Sequence, residues 1–188
     1  MRQEKGRQFE RDIAKRLSLW WTKGERDDVF WRTAGSGARA TVRSKKGVST
    51  SGSFGDIGYI DPEGLPLIDT CVIELKRGDT YETPWDLMEK RKRSSNFLSI
   101  LQKIDKEREE SGREGWMLIS KRDLRQEMLY IDVYYYMKYF YQGKSPCFFS
   151  IFHLEDGDSS FLFIAMRLED FFSLHTPDKL IREYKERK

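Results

Sequence analysis

Cysteine and histidine are scarce, with two of each among 188 residues. Cys71 and Cys147 sit in apolar surroundings. They are expected as buried thiols of a reducing compartment, which excludes a disulfide framework. His153 and His175 have no partner pattern, so a zinc or haem motif is excluded, and no Gly-rich phosphate loop opens a helix. Charges interrupt every apolar run before it reaches membrane-spanning length, so no membrane partner is expected. No apolar segment follows Met1-Arg2-Gln3-Glu4-Lys5, so no secretory signal is expected either. These absences lead to the expectation of a soluble, cytoplasmic protein.

Acid is also missing locally. Between Val29 and Gly55 there is no Asp or Glu, but there are Arg32, Arg39, Arg43, Lys45 and Lys46. The net charge of +3 conceals this asymmetry. Residues 1–50 carry 13 Lys and Arg against 6 Asp and Glu, whereas the remainder carries 21 against 25. A positive field beside carboxylates suits a polyanionic substrate. A solvated basic loop is the plain alternative.

The length suits a single domain with a sizeable core. Phe9, Ile13, Leu17 and Trp20 follow one helical face, predicting a helix over 4–23 that Gly24 ends. Val29-Phe30-Trp31 predicts a short strand, followed by a long Gly-, Ser- and Arg/Lys-rich loop to Gly55. A strand over 56–61, the turn Asp61-Pro62-Glu63-Gly64 and a returning strand over 67–76 predict a hairpin. Residues 79–94 read as loop, 95–111 as helix and 115–120 as strand. Residues 128–141 fit strand or helix. Strands are expected over 148–154 and 161–166, turning at Asp156-Gly157-Asp158, and helices over 168–174 and 177–187.

Glu74-Leu75-Lys76 closes the apolar run Cys71-Val72-Ile73. On a strand, alternation puts Glu74 and Lys76 on one face and Ile73 and Leu75 on the other. A strand that ends in a carboxylate and an ammonium on one face is not optimising a core. The expected hairpin brings Asp56 beside them. Asp56, Glu74 and the Leu75 carbonyl are oxygen donors of the kind that hold Mg²⁺, with Mn²⁺ as a substitute. Such an ion activates water and neutralises phosphoryl oxygens, and Lys76 would stabilise the developing charge. Glu10 borders the apolar face of the first helix and could complete a second metal position. A surface ion pair at a strand end is the competing account of Glu74 and Lys76.

The pattern Asp56…Glu74-Leu75-Lys76 resembles the PD-(D/E)XK nuclease superfamily, and most closely archaeal-type Holliday junction resolvases. Lys5-Gly6-Arg7-Gln8-Phe9-Glu10-Arg11 is similar to their first-helix motif. Phe30-Trp31-Arg32-Thr33-Ala34-Gly35-Ser36 is similar to their strand-to-loop segment. The likeness covers roughly residues 5–120. It implies that Glu10, Asp56, Glu74 and Lys76 are catalytic, with metal held by Asp56, Glu74, Leu75 and Glu10. It further implies phosphate contacts from Arg11, Arg32 and Ser36. Arg39, Arg43, Lys45 and Lys46 join these as expected DNA-binding residues. Two features depart from the pattern: residues 37–55 intervene before the metal Asp, and Gly55 replaces the superfamily's Pro. Gln102 lies where relatives carry an assisting Gln, although a solvated helix position accounts for it better.

The fold expected is α/β, a restriction endonuclease-like core of about 1–120 with a central mixed β-sheet flanked by helices. An α+β extension over about 121–188 completes one nuclease domain. The function expected is Mg²⁺-dependent DNA endonuclease activity, resolvase-like or structure-selective. A restriction-type or repair nuclease, a catalytically inactive DNA-binding module and an interaction protein built on the aromatic C-terminal half remain as alternatives. That half (Tyr130, Tyr134, Tyr135, Tyr136, Tyr139, Phe140, Tyr141) could stack bases or form a homodimer contact, but its density is better explained by core packing.

Overall fold

The computed structural model describes residues 2–33, 54–78, 82–89, 96–144, 146, 148–157 and 159–187, without the side chains of residues 2 and 3. Helix α1 (Arg2–Trp21) buries Phe9, Ile13, Leu17 and Trp21. Gly24 closes it at φ +94, its N–H reaching the Leu19 carbonyl at 2.7 Å. The chain then forms β1 (Phe30–Arg32), which pairs antiparallel with β2 (Ile57–Tyr59). The Ser18 hydroxyl accepts from the Phe30 amide at 2.9 Å, fixing β1 against α1.

The expected hairpin over 56–76 does not form. After β2 comes a 3₁₀ turn (Pro62–Gly64), then α2 (Leu65–Thr70), and only then β3 (Cys71–Arg77). Pro66 stands at the start of α2, where a missing N–H costs nothing, and Thr70 Oγ1 donates to the Pro66 carbonyl at 2.7 Å. The apolar run that looked like one strand is therefore half helix, an ambiguity that periodicity does not resolve in short segments. The segment over 79–94, expected as loop, contains α3 (Pro84–Glu89). Reciprocal bonds cap it: Thr83 N to Asp86 Oδ2 at 2.7 Å and Asp86 N to Thr83 Oγ1 at 3.3 Å. Helix α4 (Asn96–Ser111) and β4 (Gly115–Lys121) follow as expected.

The ambiguous stretch 128–141 divides into β5 (Met128–Asp132) and α5 (Val133–Tyr139). Asp132 makes the division by capping α5, accepting from the Tyr135 amide at 2.7 Å. Strands β6 (Phe149–Asp156) and β7 (Ser159–Arg167) form the expected hairpin, followed by α6 (Leu168–Leu174) and α7 (Asp178–Glu186).

The main sheet has five strands in the order β3-β4-β5-β7-β6. Only β3 and β4 are parallel, joined by the α4 crossover; the other pairs are antiparallel. This is an α/β fold with a mixed central sheet between helices, in keeping with a restriction endonuclease-like core. The residues beyond 121 supply three of the five strands. One face of the sheet buries Cys71, Ile73, Leu75, Met117 and Ile131 with α1 and the C-terminal helices. The other buries Val72, Trp116, Tyr130 and Phe163 with Phe97, Leu101 and Ile104 of α4. Tyr130, Tyr135, Tyr136, Tyr139 and Phe140 are core residues, while Tyr134 and Tyr141 are exposed. Cys71 is buried and free, and burial pushes its thiol up; Cys147 lies outside the described residues. No described helix is long and apolar enough to cross a membrane.

The C-terminus is tied back at Glu114, just before β4. Burial opposes ionisation of its carboxyl. Hydrogen bonds from Arg187, from Lys138 at 2.7 Å and from Tyr139 at 2.7 Å outweigh that and hold it down at about 2. A carboxyl depressed in the folded state contributes stability above its ordinary value of 4.5 and loses it as pH falls toward about 2. Urea midpoints measured across that window for wild type and Glu114→Gln should therefore converge as pH falls. A difference that stays constant from pH 5 to pH 2 would contradict the assignment.

Candidate active site

Strand β3 lies at an edge of the main sheet, and the chain around Asp56 covers part of that edge. The Asp56 amide donates to the Ile73 carbonyl at 2.7 Å. The Leu75 amide donates to Asp56 Oδ2 at 2.8 Å. A side-chain carboxylate thus takes the place that a neighbouring strand's carbonyl would fill. Asp56 and Glu74 are brought together by these bonds rather than by the expected hairpin. The Thr33 amide donates to the Asp56 carbonyl at 2.8 Å, and Thr33 Oγ1 to the Gly55 carbonyl at 2.8 Å. The end of β1 is thereby tied to the same point.

Gly55 explains its own departure from the superfamily pattern. Its φ is +77, a left-handed value closed to proline. Its N–H, which proline lacks, donates to Glu107 Oε2 at 3.0 Å. A Cβ here would lie 2.6 Å from the Ile73 carbonyl oxygen. Arg113, itself buried, braces the same stretch through bonds of 3.2 Å to the carbonyls of Phe54 and Cys71.

Alternation along β3 turns Glu74 and Lys76 toward α4, as the strand pattern predicts. Glu74 has no solvent exposure. Its Oε1 accepts from Lys76 Nζ at 2.5 Å and from Lys103 Nζ at 2.8 Å. Its Oε2 is buried and has no hydrogen-bond partner among the described residues. Lys103 also lies 3.5 Å from Glu107 Oε1, one turn along α4. Burial works against the Lys103 charge, but Glu74, Glu107 and Asp56 together raise its pKa above the ordinary value. Burial, reinforced by the Glu74 charge, pushes the Glu107 carboxyl up. The competing account of a surface ion pair does not fit a carboxylate buried this completely.

Glu10 sits on α1, half-buried, with its Oε2 3.0 Å from Arg32 Nη1. Arg11 is bonded to Gln8 at 2.9 Å on the exposed side of the helix. Ser36, Arg39, Arg43, Lys45 and Lys46 lie outside the described residues. Gln102 is exposed and bonded to Asp156 at 3.1 Å, as its solvated reading implies. The next residue, Lys103, is the one that enters the cluster. Sequence reasoning missed Lys103, Glu107 and Arg113. Lys103 and Glu107 are spaced i,i+4 on a face that also carries apolar residues, and a charged pair bordering such a face was the available signal.

Among the described residues, no three His, Cys, Asp or Glu side chains converge as a metal-binding group. A hard cation such as Mg²⁺ does not need three, because it is commonly held by one or two carboxylates with its remaining positions filled by water and carbonyl oxygen. The donors present fit that chemistry. Glu74 Oε2 is an unpaired anionic oxygen, Asp56 is fixed beside the same strand, and the cluster already attracts two ammonium groups.

A family model described as "Phage putative PDDEXK endonuclease" matches residues 1–182. The chain belongs to this endonuclease family. The match runs well past residue 120, so strands β5 to β7 fall within the family's span. No curated protein and no solved structure matches significantly.

Gly55→Ala is expected to cost about 1–3 kcal/mol, from the left-handed backbone and the contact with Ile73. Urea unfolding measures this. A variant as stable as wild type would show that Gly55 is not held against β3 as described.

Proposed function

We propose that this protein is a metal-dependent DNA endonuclease that hydrolyses phosphodiester bonds. The observation carrying this reading is the fully buried Glu74 carboxylate, bonded to Lys76 and lying on the strand whose Leu75 amide holds Asp56. A binding-only protein has no use for carboxylates that would repel a nucleic acid backbone. A core would not bury an anion whose second oxygen goes unpaired.

In this reading Asp56, Glu74 and the Leu75 carbonyl would hold Mg²⁺, for which Mn²⁺ substitutes. When bound, the ion supplies an activated water and neutralises charge on the phosphoryl oxygens. Leu75 N–H restrains the Asp56 carboxylate through Oδ2. Lys76 places an ammonium beside the carboxylates, where it offsets the charge that develops on the phosphoryl group. Glu10, paired with Arg32, is the accessory carboxylate in this reading. Arg11, Arg32, Ser36 and the basic residues Arg39, Arg43, Lys45 and Lys46 provide the phosphate contacts. The substrate preference we propose is branched DNA, by the likeness of the α1 and β1 motifs to those of junction resolvases.

Cleavage assays on four-way junction, flap, linear duplex and plasmid DNA, with Mg²⁺ and with EDTA, test both levels. Asp56→Asn, Glu74→Gln and Lys76→Ala should each lower the rate by about 10²-fold or more. Cutting in EDTA, or variants as active as wild type, would refute the mechanism. Equal rates on linear duplex and junction would refute only the branched-substrate preference.

A further inference from the structure

Two ammonium groups converge on one oxygen of Glu74, and they arrive differently. Lys76 is two residues along the same strand and shares the Glu74 face by alternation. Lys103 reaches in from α4 and touches two carboxylates, Glu74 at 2.8 Å and Glu107 at 3.5 Å. It also feels the charge of Asp56. A positive charge that senses three carboxylates stands where a bound cation would be most stable. Its side chain is 41% exposed, so it has a path out toward water. Glu107, one turn further along the same helix, offers it a second seat.

We propose that Lys103 is the resident counter-cation of this cluster. It neutralises Glu74 while the divalent position is empty, and it withdraws toward Glu107 when a divalent cation binds. This rests on the reading of Asp56 and Glu74 as metal ligands. The charge count favours the exchange. As formal charges, Asp56 and Glu74 are offset by Lys76 and Lys103, while Glu107 stands one turn away along α4. A divalent cation beside that pair would leave two net positive charges with Lys103 in place, and one once Lys103 has moved to Glu107. Like charges at this range in a partly desolvated site repel strongly enough to shift an affinity. Lys103 therefore weakens cation binding while it stabilises the cation-free protein.

Calorimetric titration of the full chain with Mn²⁺, on wild type, Lys103→Met, Lys103→Gln, Lys103→Arg and Glu74→Gln, tests this. Removing the charge should tighten Mn²⁺ binding on the order of tenfold, the scale of one such repulsion. Lys103→Arg, which keeps the charge, should stay close to wild type. Thermal unfolding should show a larger Mn²⁺-induced rise for Lys103→Met and Lys103→Gln than for wild type, because the cation replaces a lost partner of Glu74. If wild type binds Mn²⁺, Glu74→Gln abolishes binding, and both neutral variants bind no more tightly, the Lys103 inference is wrong while the metal reading stands. If wild type shows no binding that depends on Glu74, the metal reading fails and the inference falls with it. Lys103→Gln keeps the test decisive should Lys103→Met not fold.

Discussion

A carboxylate with no solvent exposure has to be balanced by positive charge, and Glu74 imposes that condition on everything around it. Burying an unpaired anion costs far more than any single packing contact returns. Here Lys76 and Lys103 meet the condition from two elements, a strand and a helix. The helix is the obligatory crossover between the parallel strands β3 and β4, so the topology that builds the sheet also delivers the second cation. The charge balance covers one oxygen and leaves the other without a partner among the described residues. That is an expensive arrangement for a core and an economical one for binding a cation.

The other half of the site depends on an edge. Among the described residues strand β3 has a neighbouring strand on one side only, and its open side would be a liability if left bare. The Gly55-Asp56 segment closes part of it with main-chain and side-chain bonds. Gly55 permits this because it accepts a positive φ and a close approach to the Ile73 carbonyl. Its amide bonds to Glu107, so the Asp56 side of the site and the α4 side are linked without passing through Glu74. Asp56, Glu74, Lys103 and Glu107 form one cluster built from a loop, a strand and a helix.

Much of this was readable in advance. The period-two argument placed Glu74 and Lys76 on one face, and the helical spacing of Phe9, Ile13 and Leu17 identified the buried face of α1. The hairpin expectation was wrong in its structure but led to the right neighbours. Asp56 does lie against β3, held there by hydrogen bonds rather than by strand pairing. The error has a physical origin: a short apolar run does not distinguish a buried helical turn from a strand, and Pro66 was the residue that settled it. The family likeness pointed to Gln102, whereas Lys103 enters the cluster; one residue's difference on a helix is a rotation of about 100°, and only the packing of α4 fixes that angle.

The sequence by itself determined that Glu74 and Lys76 lie side by side, because spacing along a strand decides which side chains share a face. It also carried the family, since motif order survives changes in the connecting loops. The tertiary structure decided which residues complete the cluster. Lys103, Glu107 and Arg113 are distant in sequence from Asp56 and Glu74, and the packing of α4 on the sheet brings Lys103 to Glu74, Glu107 to Gly55, and Arg113 to Phe54 and Cys71. Burial did the rest. An ordinary Glu-x-Lys tripeptide is a surface ion pair until the fold removes the water around it, and only then does its charge have to be answered by specific partners.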